Sequence, residues 1–270
     1  MGKFDNILIV SDIDDTFLGK GGVLVQKNID ALKYFLSEGG KFTFATGRVH
    51  GSLLNSIPIA SEIMSAPGIM ANGGYIYDFE SSTVLNCKFM PEESTRKATE
   101  FAYDYNDEFG IRYSSPDGTV YCRLLPSYLG VKEFSYRDAL VLPRDEWSFK
   151  DCCKVVVRGR CGVLDELRRA LEDRFGDILE IVKSGDTFLE MLPKECTKGS
   201  AIEGLRMYYH EQGTEVKVYC CGDYENDISM LKEADVAVCP SNATDEVKAV
   251  ADLVLCSCSD GLIANLIEIL

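Results

Sequence analysis

The chain has 270 residues, 46% hydrophobic and 26% charged, a balance typical of soluble globular proteins and enough for one large domain or two unequal ones. Its formal net charge of -15 argues against nucleic acid as a partner, and no apolar run reaches the length of a transmembrane helix, so no membrane partner is expected. An anionic substrate would need a positive site built locally against this field, from metal and a few lysines. The first six residues hold no long apolar segment, so no signal peptide is expected, and Asn6 breaks the myristoylation pattern that Gly2 opens. Most of the eleven cysteines sit inside apolar strands, as in Tyr219-Cys220-Cys221, which fits buried reduced thiols in a cytoplasmic protein. Cys256 and Cys258 are too isolated from other Cys and His residues to suggest zinc.

Ile7 to Val10 is a run of aliphatic residues that reads as a strand buried on both faces. It stops at Ser11 and is followed by Asp12, Asp14 and Asp15. Carboxylates so close together repel one another, and a divalent cation with oxygen ligands is the usual remedy; an acidic turn is the plainer reading. Phe17 to Val25 is a glycine-rich excursion with room for a short hairpin. Ile29, Leu32, Phe35 and Leu36 mark a helix that Gly39-Gly40 ends. Lys41 to Ala45 is a second strand, closed by Thr46-Gly47-Arg48, where a hydroxyl and backbone N–H groups can hold an oxyanion. Ile69 to Tyr77 reads as strand, glycine turn and strand.

From about Ser81 the pattern changes. A helix within 91–109, a hairpin about Pro116-Asp117-Gly118, a strand at 154–158, a helix carrying Leu164, Leu167 and Leu171, and a hairpin about Ser184-Gly185-Asp186 make an α+β segment. An inserted domain is therefore expected at 82–187, with a core at 1–81 and 188–270. Beyond it Lys198-Gly199 opens a helix, and Val216 to Cys221 is a strand ending in Gly222-Asp223-Tyr224-Glu225-Asn226-Asp227. Strands at 236–238 and 253–255 and helices at 244–251 and 260–270 close the chain. Three strands thus end in polar clusters, and in open parallel sheets ligands bind beyond the carboxyl ends of the strands.

Asp-Ile-Asp-Asp-Thr (12–16), Thr-Gly-Arg (46–48), Lys198 and Gly-Asp-x-x-Asn-Asp (222–227), in this order, resemble the haloacid dehalogenase (HAD) superfamily, and within it the Cof-type (subfamily IIB) sugar-phosphate phosphatases. The stretches 70–74 and 188–193 are also similar to ones common in that group. The resemblance implies an α/β fold: a Rossmann-like parallel-sheet core with an inserted α+β cap of the C2 type that carries specificity. It implies an enzyme, a phosphoric monoester hydrolase acting on a small phosphorylated substrate. Asp12 would be the nucleophile and Asp14 the general acid and base. Thr46, Gly47, Lys198 and Asn226 would bind phosphate. Mg²⁺ would be held by Asp12, the backbone carbonyl of Asp14, and Asp223, with Asp227 in support. A phosphomutase of the phosphomannomutase kind, or a non-catalytic metabolite-binding protein, would share this fold. Two departures stand out: Asp15 where many relatives have Gly, and Val-Cys-Pro-Ser-Asn-Ala (238–243) where Met-Gly-Asn-Ala is commoner. Asp15 is expected to point away from the site. His50 and His210 read as surface or helix-end residues, and Trp147 as packing within the insert.

Overall fold

The structure is a computed structural model that describes residues 2–126 and 139–270. The chain divides into two compact units, Met1–Asn86 with Thr197–Leu270, and Cys87–Cys196. In chain order the first stretch holds β1 (Ile7–Ser11), α1 (Gln26–Ser37), β2 (Lys41–Phe44), α2 (His50–Ser56), α3 (Ala60–Ile63), β3 (Gly68–Met70), β4 (Tyr75–Asp78) and β5 (Thr83–Cys87). Next come α4 (Glu92–Tyr105), β6 (Gly110–Ser115), β7 (Gly118–Arg123), β8 (Lys154–Arg158), α5 (Cys161–Phe175), β9 (Leu179–Lys183) and β10 (Phe188–Pro193). The chain ends with α6 (Lys198–Glu211), β11 (Lys217–Cys221), α7 (Ile228–Glu233), β12 (Val236–Pro240), α8 (Asp245–Lys248), β13 (Leu253–Leu255) and α9 (Leu262–Ile269).

The first unit is built on a parallel sheet of order β13-β12-β11-β1-β2. β1 has neighbours on both sides, and Leu8, Ile9 and Val10 are fully buried, which explains the unbroken apolar run. Burying each of these side chains stabilises the fold by about 1.5–3 kcal/mol. On one side lies a cluster that includes Val10, Ile69, Ile202, Leu205 and Val218. Phe17, Phe42 and Phe44 form an edge-on aromatic group, with Phe17–Phe44 centroids 4.9 Å apart and Phe42–Phe44 centroids 5.0 Å apart. The glycine-rich stretch closes through a bridge between Gly19 and Val23. All eleven cysteines are free thiols, most of them buried.

The second unit is an antiparallel sheet of order β7-β6-β8-β10-β9 with α4 and α5 against one face. That core contains Ala98, Ala102, Leu164, Leu167 and Leu171 from the helices and Ile111, Tyr113, Val155, Val157, Leu189 and Met191 from the strands. Trp147 lies in the same core, its Nε1–H donating to the Leu142 carbonyl at 2.9 Å, as expected of a packing residue.

The sequence reading returned the chain to the core at residue 188; the structure does so at Thr197. The reason is pairing. Phe188–Pro193 lies between β8 and β9 and completes the second sheet. Its apolar composition suits a buried strand of either sheet, so composition does not mark the boundary. At the other end the division falls after Asn86 rather than after Ser81, because β5 extends the β3-β4 pair into a three-stranded sheet.

Within the first unit, the turn after β3 is held against the start of α6. Ala71, Asn72 and Gly73 all have positive φ, and a Cβ on Gly73 would lie 2.1 Å from the Thr197 carbonyl oxygen. Gly73→Ala is therefore expected to lower stability by about 2 kcal/mol or more, from backbone strain together with a clash that has no flexible partner to relieve it. Urea unfolding followed by circular dichroism measures this, and an unchanged midpoint would sink the account of that turn.

Candidate functional site

The register of the parallel sheet sets the site. Ser11 pairs with Cys221 on one side and with Phe44 on the other, so Asp12, Gly222 and Ala45 leave the sheet at one level. The Asp12 N–H donates to the Cys221 carbonyl at 2.8 Å, which fixes the first residue of the acidic turn to the end of β11. Asp12, Asp223 and Asp227 then converge, with one carboxylate oxygen from each within 4.8 Å of the others.

Lys198 holds this cluster together. It is the first residue of α6, and its side chain is fully buried. Its Nζ lies 2.5 Å from Asp12 Oδ1 and 2.6 Å from Asp227 Oδ1. An ammonium at a helix N-terminus opposes the helix dipole and loses its hydration on burial, so it stays there only because two carboxylates surround it. Burial alone would lower its pKa, but Asp12 and Asp227 outweigh burial and raise it. Thr197 caps the helix: its Oγ1 accepts from the Ser200 N–H at 3.2 Å, while the Thr197 N–H donates to Ser200 Oγ at 3.1 Å.

Asp227 is committed on every side. Its Oδ2 accepts the backbone N–H groups of Asp223 at 2.9 Å and Tyr224 at 3.1 Å. Gly222 makes that possible, since a Cβ there would meet Asp227 Cβ at 2.4 Å. Asp223 accepts a hydrogen bond from Thr16 Oγ1 at 2.6 Å through Oδ1. With Lys198 on Oδ1 of Asp12 and Thr16 on Oδ1 of Asp223, the second oxygen of each carboxylate is left for a cation. Three carboxylates facing one ammonium carry excess negative charge. Hard oxygen donors in this number suit Mg²⁺, so the residues fit the metal. Burial, then the neighbouring aspartates, raise the Asp12 pKa well above the ordinary carboxylate range despite Lys198. Burial and Asp227 bring that of Asp223 to about 7.

The remaining expected residues lie around this centre. Thr46 is buried at the end of β2, its N–H bonded to the Ile69 carbonyl at 2.8 Å and its Oγ1 accepting from the Arg48 N–H at 3.1 Å. Gly47 lies in the same turn. The Asp14 side chain is 63% exposed and outside the carboxylate cluster, so metal ligation from this residue would fall to its backbone carbonyl. Asn226 donates to Asn72 Oδ1 at 3.1 Å.

A profile of haloacid dehalogenase-like hydrolases matches residues 9–267. The chain belongs to that family. Among curated relatives, a putative phosphatase of Haemophilus influenzae is 24% identical over 96% of both chains. The 5-amino-6-(5-phospho-D-ribitylamino)uracil phosphatase of Bacillus subtilis is 26% identical, again over 96% of both. A solved structure from Thermotoga maritima is 26% identical, covers 98% of this chain and 97% of its own, and superposes with a TM-score of 0.77. These matches bear out the expected fold and the expectation of a phosphatase enzyme of the HAD type.

Three polar residues at this HAD site had no role in the sequence reading. Thr16 belongs to the 12–16 motif, and its spacing from Asp12 was the available signal. Arg48 belongs to the Thr-Gly-Arg motif, and its Nη2 meets Asp14 Oδ1 at 2.9 Å and Oδ2 at 3.0 Å. Asn72 lies in the 70–74 stretch that resembles the family, and that resemblance was the available signal; it sits buried with φ 55°. Asp15 is also explained. Its φ is 55°, a left-handed conformation that Gly adopts freely and Asp tolerates, and its carbonyl accepts Asn242 Nδ2 at 3.0 Å. The unusual 238–243 segment thus anchors the acidic turn. Asp15 is exposed. His210 pairs with Glu215 at the surface, and His50 stacks on Tyr77 with centroids 4.0 Å apart.

The charge excess has a measurable consequence. The folded-state pKa values of Asp12 and Asp223 are raised, so the stability they supply is complete below the ordinary carboxylate value of about 4 and lost as pH rises. For Asp223 the loss runs up to about 7. In chelator, the melting temperature should fall between about pH 5 and pH 8, and Mg²⁺ should restore more of it at the upper end than the lower. Calorimetric melting curves check this. A Mg²⁺ effect as large at the acid end would mean the cation binds elsewhere.

Proposed function

We propose that the protein is a Mg²⁺-dependent phosphomonoesterase that hydrolyses a small phosphorylated metabolite of the sugar-phosphate type through an aspartyl-phosphate on Asp12. The observation that supports this most is the buried Lys198 set between Asp12 and Asp227, beside two carboxylate oxygens left for a cation. Lys198 favours the anionic form of Asp12 against burial and the neighbouring aspartates, and the same ammonium is in place for the oxygens of a phosphoryl group that Asp12 attacks. Asp12 Oδ forms the new bond to phosphorus as the ester P–O bond breaks. Asp14 gives its proton to the leaving alcohol. It then takes a proton from water, whose oxygen displaces Asp12 and regenerates the carboxylate. Arg48 holds both carboxylate oxygens of Asp14 here, so Asp14 must leave that ion pair to carry the proton to the leaving alcohol. Thr46, Gly47 and Asn226 complete the phosphate site. Mg²⁺ held by Asp12, the Asp14 carbonyl and Asp223, with Asp227 behind them, would neutralise charge that develops on the phosphoryl group. The residues Cys87–Cys196 are read as the cap that supplies specificity. The Bacillus subtilis relative's name points to a phosphate ester on a sugar-alcohol chain, in keeping with this substrate class.

Asp12→Asn removes the attacking anion and one charge of an overcharged cluster, so it should melt no lower than the parent while losing at least about 10²-fold in kcat/KM toward p-nitrophenyl phosphate. Retention of more than a few per cent of the activity would remove Asp12 from the nucleophile role.

Asp14→Asn should cost roughly 10²–10⁴-fold toward alkyl phosphates and much less toward aryl phosphates, whose leaving groups need little protonation. Steady-state rates on a matched alkyl and aryl pair measure this, and equal losses on both would rule out the general acid. Measuring free phosphate against isomerised sugar phosphate separates hydrolysis from mutase action.

A further inference from the structure

The second unit has two chemically different sheet faces. Alternation along the strands sends Ile111, Tyr113, Val155 and Val157 to the helices and Arg112, Val156, Arg158 and Phe188 to the opposite face. On that face is a shallow pocket whose lining includes Arg112, Tyr121, Arg123, Val156, Arg158 and Phe188, with no carboxylate among the described residues that line it.

In a chain of net charge -15 this is an unusual place. Several other cations of the unit have acidic partners: Arg144 with Asp104 and Glu100, Arg160 with Glu108, Lys183 with Asp165, and the buried Lys154 with Glu190. Arg112 and Arg158 have none among the described residues. The Arg158 Nε is buried with no hydrogen-bond acceptor, and its guanidinium carbon is 4.8 Å from the Phe188 ring centroid. Arg123 is held by the carbonyls of Asn106 at 2.7 Å and Tyr103 at 2.9 Å, with no acidic partner among the described residues. Leaving a guanidinium N–H desolvated and unpaired is costly, and two neighbouring cations without counter-ions repel. An anion in the pocket removes both penalties.

We propose that the face of the second unit away from its helices is an anion-binding site in which Arg112 and Arg158 hold a carboxylate or phosphate group, with Phe188 and Val156 as its apolar wall. The guanidinium fork matches either group through paired N–H donors. Such a group comes either from the far end of the enzyme's own substrate, making that substrate a phosphate ester with a second anionic group, or from a separate small anion. The first source rests on the phosphatase reading; the binding site itself does not.

Two matched pairs test it with the intact protein: 3-phosphoglycerate against glycerol 3-phosphate, and 6-phosphogluconate against sorbitol 6-phosphate. Each pair differs in one carboxylate. Calorimetric binding in chelator and kcat/KM with Mg²⁺ should both favour the carboxylate-bearing member of at least one pair by about tenfold or more, as expected for hydrogen bonds to a charged group. Arg112→Gln and Arg158→Gln should each bring that ratio toward one. Because the ratio is internal to each variant, a loss of folded protein cancels. If no pair discriminates but malonate raises the melting temperature of the parent and not of the variants, the site takes a separate anion. Discrimination in binding with no phosphate released from any compound would keep the site and overturn the phosphatase reading. Absence of discrimination together with an equal malonate effect, or none, in parent and variants overturns the site.

Discussion

The first unit depends on one buried ammonium. Lys198 has no water to solvate it, sits at the wrong end of a helix dipole, and is balanced only by Asp12 and Asp227, which belong to opposite parts of the sequence. Removing the lysine from such a triad leaves two uncompensated buried carboxylates, which is why neighbouring choices are so constrained. Gly222 must lack a side chain so that Asp227 can turn back onto the N–H groups of Asp223 and Tyr224. Thr197 must cap α6 so that its first residue is held in place.

The same interaction ties stability to chemistry. The arrangement that disfavours the fold, three carboxylates around one lysine, is also what suits the site to a divalent cation. An anionic ester approaching a chain of this net charge is repelled at long range, so on the proposed reading affinity would come from short-range contacts with Lys198, a bound metal and the backbone. In the second unit the balance is reversed: most cations are paired, and the arginines of one sheet face are left over.

Much of this could be read from the sequence because parallel β–α architecture writes its chemistry at strand ends. Four aliphatic residues followed by Asp12, and an apolar strand followed by Gly222-Asp223, are local patterns, and the sheet does no more than bring them to one level. The partners could not be read in the same way. Arg48 on Asp14, Thr16 on Asp223 and Asn72 on Asn226 are contacts between side chains whose geometry depends on where turns point, and nothing in residue type or spacing encodes that. Asn242 on the Asp15 carbonyl joins positions more than two hundred residues apart, so no local pattern could announce it.

The sequence by itself determined the class of fold, the two-part organisation and the residues that meet at the site, because buried parallel strands demand apolar runs and abrupt polar ends. Tertiary structure decided where the second unit ends, since Phe188–Pro193 is apolar enough for either sheet and only its pairing with β8 and β9 assigns it. It also decided which carboxylates share the lysine and which stands apart. Asp12 and Asp14 are two residues apart in sequence, yet one is nearly buried against Lys198 and the other exposed against Arg48. The backbone supplies the reason: it leaves its extended course after Asp12, where a helical turn begins at Ile13, so strand alternation no longer puts the two side chains on one side.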